Sequence, residues 1–247
     1  MFIKQQGQGK PLILLHGWGF NGDIWNDVAT ELAKNWRVYQ VDLPGHGKSP
    51  MSEYSLPILT EQLTNCLPTD AVWMGWSLGG LLAMNMAIQQ RARGLILIAS
   101  SPRFITANDW PHAMTAEILQ QFANQLQTDT VGTLRRFLVL QVKGCDNARQ
   151  QLRNINSFLT NPPSKKALQF GLQLLQTTDL RSQLNQINCP SLLCLGKRDK
   201  IVPFEVGEDF QWNTLRKTVI KPASHIPFLS HQEIFIDILQ YFLSELN

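Results

Sequence analysis

The stretch AVWMGWSLGG, residues 71–80, carries an apolar run into Gly75-Trp76-Ser77-Leu78-Gly79, and the helix formers LLAMNMAIQQ follow at once, at 81–90. A hydroxyl between two glycines, where a strand pattern becomes a helix pattern, has a specific physical use. Serine is a weak nucleophile until a base takes its proton and donors hold the oxyanion that develops. A sharp strand-to-helix turn exposes the side chain above the sheet edge, and a Cβ two residues before or after it collides with so tight a backbone. Gly75 and Gly79 meet that demand, so Ser77 is the candidate nucleophile.

Working outward, further apolar runs bounded by Gly, Pro and Asp occur at 12–17 (LILLHG), 38–42 (VYQVD), 94–100 (GLILIAS), 190–196 (PSLLCLG) and 218–223 (TVIKPA). They alternate with helical patterns, which predicts parallel strands joined by crossover helices. Several are apolar at every position, as expected of strands covered on both faces. Ile24, Trp25, Val28 and Leu32, and again Ile234, Ile238, Leu239 and Phe242, recur at helical spacing and predict core-facing helices. The alternation stops between about 101 and 185, where AEILQQFANQLQ and KALQFGLQLLQ are helical and no strand is evident. The predicted organisation is a core of 1–100 and 186–247 with a helical cap inserted at 101–185.

An activated serine needs a base later in the chain and an acid between the two. Of the late histidines, His225 follows an apolar run directly, whereas His231 sits at the start of the last helical pattern and reads as an exposed cap. Asp199, in LLCLGKRDKIVP, lies at the carboxyl end of a strand, where ligands meet open sheets. Asp109 and Asp179 lie away from any strand end. Asp199 would hold the imidazole in one tautomer and stabilise its charged form. Two backbone N–H groups must converge on the oxyanion; Leu78, after the nucleophile, supplies one and Trp18, in the loop after the first run, the other.

At 247 residues and 44% hydrophobic, the chain suffices for one domain plus an insertion. A net charge of +3 is too small to imply general nucleic-acid binding. MFIKQQGQGK contains no apolar core of signal-peptide length, and no stretch reaches 18 uninterrupted apolar residues, so a soluble cytoplasmic protein without membrane contact is expected. Cys66, Cys145, Cys189 and Cys194 form no C-x-x-C pair, so buried free thiols are expected rather than a metal site or a disulfide framework. The positive charge is local. Arg135, Arg136, Lys143, Arg149, Arg153, Lys165 and Lys166 face only Asp146 within 135–166, while acids outnumber bases elsewhere. Arg149 and Arg153, four apart, share a helix face suited to phosphate and to an acidic helical carrier, and with Arg135 and Arg136 they form the candidate docking surface.

With HGWG (16–19), DLPGHGKS (42–49), GWSLGG (75–80), GKRDKIVP (196–203) and ASHIPF (223–228) in hand, the chain resembles the α/β-hydrolase superfamily along nearly its whole length. The implied fold is α/β: a mostly parallel sheet flanked by helices, with a helical cap. Ser77 stands where haloalkane dehalogenases and epoxide hydrolases carry a carboxylate, which argues against both. More narrowly, LLHGWGFN, VDLPGHGKS, GWSLGGL, IASSPRF, RRFLVLQVKGCDNARQQLR and TTDLR resemble the pimeloyl-acyl-carrier-protein methyl ester carboxylesterases of biotin synthesis. That resemblance implies hydrolysis of the carrier-bound methyl ester with no metal or organic cofactor, acyl-carrier protein as partner, and activity on small esters. It implies substrate contacts on Trp18, Ser77, Leu78, Phe137, Leu138, Val139, Leu140, Gln141 and His225. A monomer is expected. A broad short-chain esterase or thioesterase, a carbon–carbon hydrolase, the lyase of menaquinone synthesis, and a non-catalytic binding protein remain alternatives on the same scaffold.

Overall fold

Runs that are apolar at every position must be covered on both sides, and Leu12, Ile13, Leu14 and Leu15 all lie with no exposed surface. The computed structural model describes residues 1–52, 55–158, 162–209 and 212–246. Its strands are β1 (Phe2–Gln6), β2 (Pro11–Leu15), β3 (Arg37–Asp42), β4 (Ala71–Trp76), β5 (Ala92–Ile98), β6 (Ser191–Gly196) and β7 (Leu215–Ile220). They form one sheet in the order β1-β3-β2-β4-β5-β6-β7. β1 pairs antiparallel with β3 and every other pairing is parallel. The strand order reverses between β2 and β4, whose ends meet in register at Leu15 and Gly75. Open sheets bind ligands at that reversal, beyond the carboxyl ends of the strands.

Helices α1 (Asn26–Leu32), α2 (Leu56–Cys66) and α3 (Leu78–Ile88) precede β5, while α10 (Gln232–Ser244) closes the chain. Val28 and Leu32 of α1 and Phe235 and Leu239 of α10 pack with Leu12, Leu14 and Val72. Leu59 and Leu63 of α2 and Leu81 and Met84 of α3 pack with Ile13, Leu15 and Trp73 on the other face. Every residue of α3 is buried, because β4 delivers it into the middle of the molecule. No helix among the described residues is long and apolar enough to cross a membrane.

Between β5 and β6 come α4 (Ala116–Thr128), α5 (Thr130–Val142), α6 (Ala148–Ser157) and α7 (Lys165–Thr177), then a 3-10 helix at Arg181–Gln186. The entry and exit of this stretch touch: Leu180 N–H donates to Pro102 O at 3.0 Å, and Arg103 Nη1 to Asp179 Oδ2 at 2.7 Å. Arg181 adds ion pairs to Asp179 at 2.8 Å and Asp109 at 2.9 Å. Although desolvation opposes it, the hydrogen bonds from Arg181 and Arg103 hold the Asp179 carboxyl down at about 2. Short helices follow β6 and β7, α8 (Val206–Asp209) and α9 (Pro227–Ser230).

Three local expectations are corrected and one strand is added. β1, whose Lys4 and Gln5 are exposed on an edge strand, carries too little apolar signal to be foreseen. The run expected at 218–223 is a strand at 215–220, because β7 lies on the opposite edge, where Arg216, Lys217 and Val219 are exposed and only Ile220 is fully buried. In α10 the buried stripe is Phe235, Ile236, Leu239, Phe242 and Leu243, with Ile234 half-exposed; the packed face is rotated by about one residue. Only Cys145 and Cys194 are buried, while Cys66 is exposed and Cys189 intermediate.

Candidate active site

β4 ends on Trp76 and α3 starts on Leu78, which leaves Ser77 alone at φ 53° and ψ −117°. A non-glycine residue in that region costs roughly 1–3 kcal/mol and persists only where its surroundings over-determine it. Here they do. Ser77 N–H donates to Ile98 O at 2.9 Å, while Ser77 O accepts from Ser100 Oγ at 2.8 Å and from Gly80 N–H at 2.9 Å. At about 1 kcal/mol net for each bond, the three offset the strain. A Cβ on Gly75 would stand 2.2 Å from Gly79 O, and one on Gly79 would stand 2.4 Å from Leu15 O. Both glycines are thus required by backbone contact, as the spacing predicts.

The end of β6 is stitched to the chain leaving β7 by Lys197 N–H to Ile220 O at 3.1 Å and Arg198 N–H to Ala223 O at 2.9 Å. These bonds bring Asp199 to His225. Asp199 Oδ1 accepts from Ile201 N–H at 2.7 Å and Val202 N–H at 3.0 Å, and Oδ2 accepts from His225 Nδ1 at 2.7 Å. Both side chains have 0% exposure. Taking two polar groups out of water costs several kcal/mol unless each is satisfied, and three donors satisfy the carboxylate. With Nδ1–H committed to Asp199, Nε2 carries the lone pair, and among the described residues it has no hydrogen-bond partner. Ser77 and His225 are therefore not hydrogen-bonded to each other, but they are held in one assembly: Trp76 Nε1 donates to His225 O at 2.9 Å.

The loop after β2 lies against the elbow. His16 Nδ1 donates to Gly17 O at 2.9 Å, and its Nε2 accepts from Leu43 N–H at 3.0 Å. Carbonyl and N–H point in opposite directions across a planar peptide, so fixing Gly17 O also aims Trp18 N–H. Leu78 N–H, at the first position of α3, has no carbonyl partner within its own helix. The Trp18 indole donates to Leu168 O in α7 at 2.8 Å and meets the Phe137 ring edge-on at 4.7 Å.

His16 and His46, 4.9 Å apart, are both buried. Burial pushes the His16 imidazole down to about 4, against a smaller opposing effect of its bond to Gly17. Burial, helped by repulsion from His16, pushes His46 down to about 3. In the unfolded chain both titrate near 6.5, so below that pH the unfolded state binds protons the folded state refuses. Stability is present in full above pH 6.5 and falls as pH drops toward 4, by about 1.4 kcal/mol per pH unit for each histidine. Urea unfolding at pH 7 and pH 5 should differ by about 4 kcal/mol from this pair; equal stabilities would contradict their neutral burial.

Of the five positions on α5 implied as substrate contacts, the structure separates two faces. Phe137, Leu138 and Gln141 are buried, and Gln141 Oε1 has no partner among the described residues. Val139 is 50% exposed, on the outer side of α5, and Leu140 is partly buried. Arg135, Leu138, Val139, Arg149, Leu152, Arg153 and Asn156 line a surface groove of about 450 Å³ between α5 and α6. Arg135, Arg149 and Arg153 come together there and have no acidic partner among the described residues. Arg136 does not join them: it reaches Asp129 at 3.4 Å. Asp109 and Asp179 are held in the arginine cluster described above. His231 occupies the N-cap position of α10 but caps it with no side-chain bond, contacting Ser230 Oγ at 2.9 Å instead. His16, Trp76 and Ser100 hold this site by contacts between distant parts of the chain that spacing does not reveal.

Residues 10–232 match the family model described as alpha/beta hydrolase fold. The pimeloyl-acyl-carrier-protein methyl ester esterase of Aeromonas salmonicida is 40% identical, over 98% of this chain and 98% of that protein. The enzyme of the same name from Serratia marcescens is 39% identical, over 99% of this chain and 98% of that protein. Among solved structures, an esterase from Exiguobacterium antarcticum superposes with a TM-score of 0.88 at 23% identity, covering 98% of this chain and 95% of that one. At that identity the structural likeness speaks for the fold alone.

Proposed function

The chain belongs to the α/β-hydrolase family, and we propose that it is a serine carboxylesterase that hydrolyses the methyl ester of pimeloyl-acyl-carrier protein to the free carboxylate and methanol. The observation that carries this reading is the buried Asp199–His225 pair, with Nε2 open, tied to the strained elbow at Ser77. The relatives' names supply the ester. Ser77 Oγ attacks the ester carbonyl while His225 Nε2 takes its proton; this contact tightens as substrate enters, as such bonds often do. Leu78 and Trp18 N–H groups hold the oxyanion. His225 returns the proton to the departing methoxide, methanol leaves, and water repeats the sequence on the acyl-serine. No step calls for a metal or an organic cofactor.

Residues 101–185 act in this reading as the cap, with Phe137 and Gln141 walling the acyl pocket beside Trp18, while Leu138 lines the groove toward α6. Ser77 is 2% exposed, so the cap moves to admit substrate. The arginine-rimmed groove receives the acidic carrier, whose arm then enters beside α5; Arg136 contributes only to the surrounding field. The protein works in the cytoplasm as a monomer.

Two tests apply. Purified protein is assayed on methyl pimeloyl-carrier protein, dimethyl pimelate, p-nitrophenyl esters and acyl thioesters; strong preference for the carrier-bound ester supports the reading, and equal rates on all would replace it with a broad esterase. Charge reversal at Arg149 and Arg153 together should lower kcat/KM for the carrier-bound ester by about tenfold or more at low salt, as loss of steering charges does. Small esters should be hydrolysed within twofold of wild type; an equal loss on both substrates would remove the groove from the docking surface.

A further inference from the structure

Trp76 is the residue just before the candidate nucleophile, and the chemistry above gives it no part. It has no exposed surface. Its indole N–H reaches across 149 residues of chain to the carbonyl of His225 at 2.9 Å. Its ring lies 5.6 Å from the His225 imidazole and packs against Phe20 at 5.1 Å and Phe228 at 5.1 Å. The chain at Gly17 also runs so close that a Cβ there would stand 2.8 Å from Trp76 Cε3. One rigid plane thus touches the loop after β2, which carries Trp18 N–H, and the loop after β7, which carries His225. It is itself anchored one residue from Ser77. Among the described residues the indoles of Trp18, Trp73 and Trp110 also donate to main-chain carbonyls, those of Leu168, Arg91 and Arg103, but none of those carbonyls belongs to a residue of the site.

We propose that Trp76 is a positioning residue for the ester hydrolysis described above: its indole fixes the His225 backbone and braces the Gly17–Trp18 turn relative to Ser77. The inference rests on that reading of the site. The indole N–H is what makes Trp76 more than filling. The His225 carbonyl is buried, and a buried acceptor that loses its donor relaxes toward another partner or remains unsatisfied. The imidazole rides on that peptide. Catalytic groups displaced by about 1 Å lose around two orders of magnitude in rate, so even a partial shift is visible in turnover. Binding of the acyl chain is governed by other residues and should change little.

The test separates shape from hydrogen bond. Trp76 is replaced by 3-benzothienylalanine through codon suppression, which keeps the bicyclic outline and substitutes sulfur for the N–H, and separately by phenylalanine. Each protein is titrated with a fluorophosphonate to count reactive serines, then assayed on p-nitrophenyl butyrate. For both variants, kcat per titrated site should fall by about tenfold or more, with KM within twofold of wild type. A purely structural role would lower the titrated fraction or the unfolding midpoint and leave kcat per site unchanged. That result, in either variant that folds, overturns the proposal, as does a rise in KM at constant kcat. Wild-type protein that neither labels nor hydrolyses esters would instead remove the esterase reading, and the proposal with it.

Discussion

Ser77→Ala is expected to lower kcat for ester hydrolysis by about five to six orders of magnitude, the scale seen when a nucleophile that acts as a unit with its base is removed. The fold should survive. Alanine at φ 53° carries the same backbone strain as serine, and the bonds that hold this turn use Ser77 N–H and Ser77 O rather than the hydroxyl. Among the described residues Oγ makes no hydrogen bond, so none is lost. A variant with intact unfolding midpoint and no burst of released alcohol is the expected outcome; growth of a biotin-requiring strain carrying only the alanine protein would refute the mechanism.

Asp199→Asn is the second large effect, about four orders of magnitude in kcat with little change in KM. Oδ1 of Asp199 accepts two backbone N–H groups, from Ile201 and Val202. An asparagine must keep its oxygen toward those two donors, which turns its NH2 toward His225. Nδ1 then becomes the acceptor and Nε2 carries the hydrogen, so the ring offers Ser77 a donor where it needs a base. Because shape and hydrogen-bond count are nearly preserved, folding stability is a poor reporter and turnover a sharp one. A loss smaller than tenfold would mean that another group orients the imidazole.

The elbow was legible from sequence because its pattern is local: Gly75 faces Gly79 O within the five residues, although Gly79 is also required by Leu15 O of β2, a contact the spacing does not reveal. Asp199 and His225 were legible for a different reason. Each follows a strand whose end is marked, by Gly196 and by the turn after Ile220, and parallel strands deliver their carboxyl ends to one edge. β1 and β7 were blurred because they lie at the two edges of the sheet, where half the side chains meet water and the apolar run is broken. In α10 composition revealed a helix, but which stripe faces inward was decided by packing against α1 and the sheet. The helices between β5 and β6 showed the same limit. Phe137 to Gln141 read as one contact stretch, yet a helix turns Val139 away from Phe137, and Arg136 away from Arg135. Bonds such as Trp76 to His225 or Ser100 to Ser77 leave no trace in spacing, since each joins residues that only the fold brings together.

The neck formed where Leu180 N–H meets Pro102 O, reinforced by Arg103 and Asp179, has a consequence for how such a protein changes over generations. Chain leaves the sheet and returns to it at one point, yet the stretch between is also tied to the loops beyond the strands by Trp18 Nε1 to Leu168 O, Ser164 N–H to Gly45 O and Ser224 Oγ to Gln141 O, so a different sequence can take its place without asking the strands to move only if it rebuilds those bonds. Recognition can diverge while the hydrolytic machinery is inherited whole, and a graft of foreign helices onto this stem is the engineering form of the same freedom.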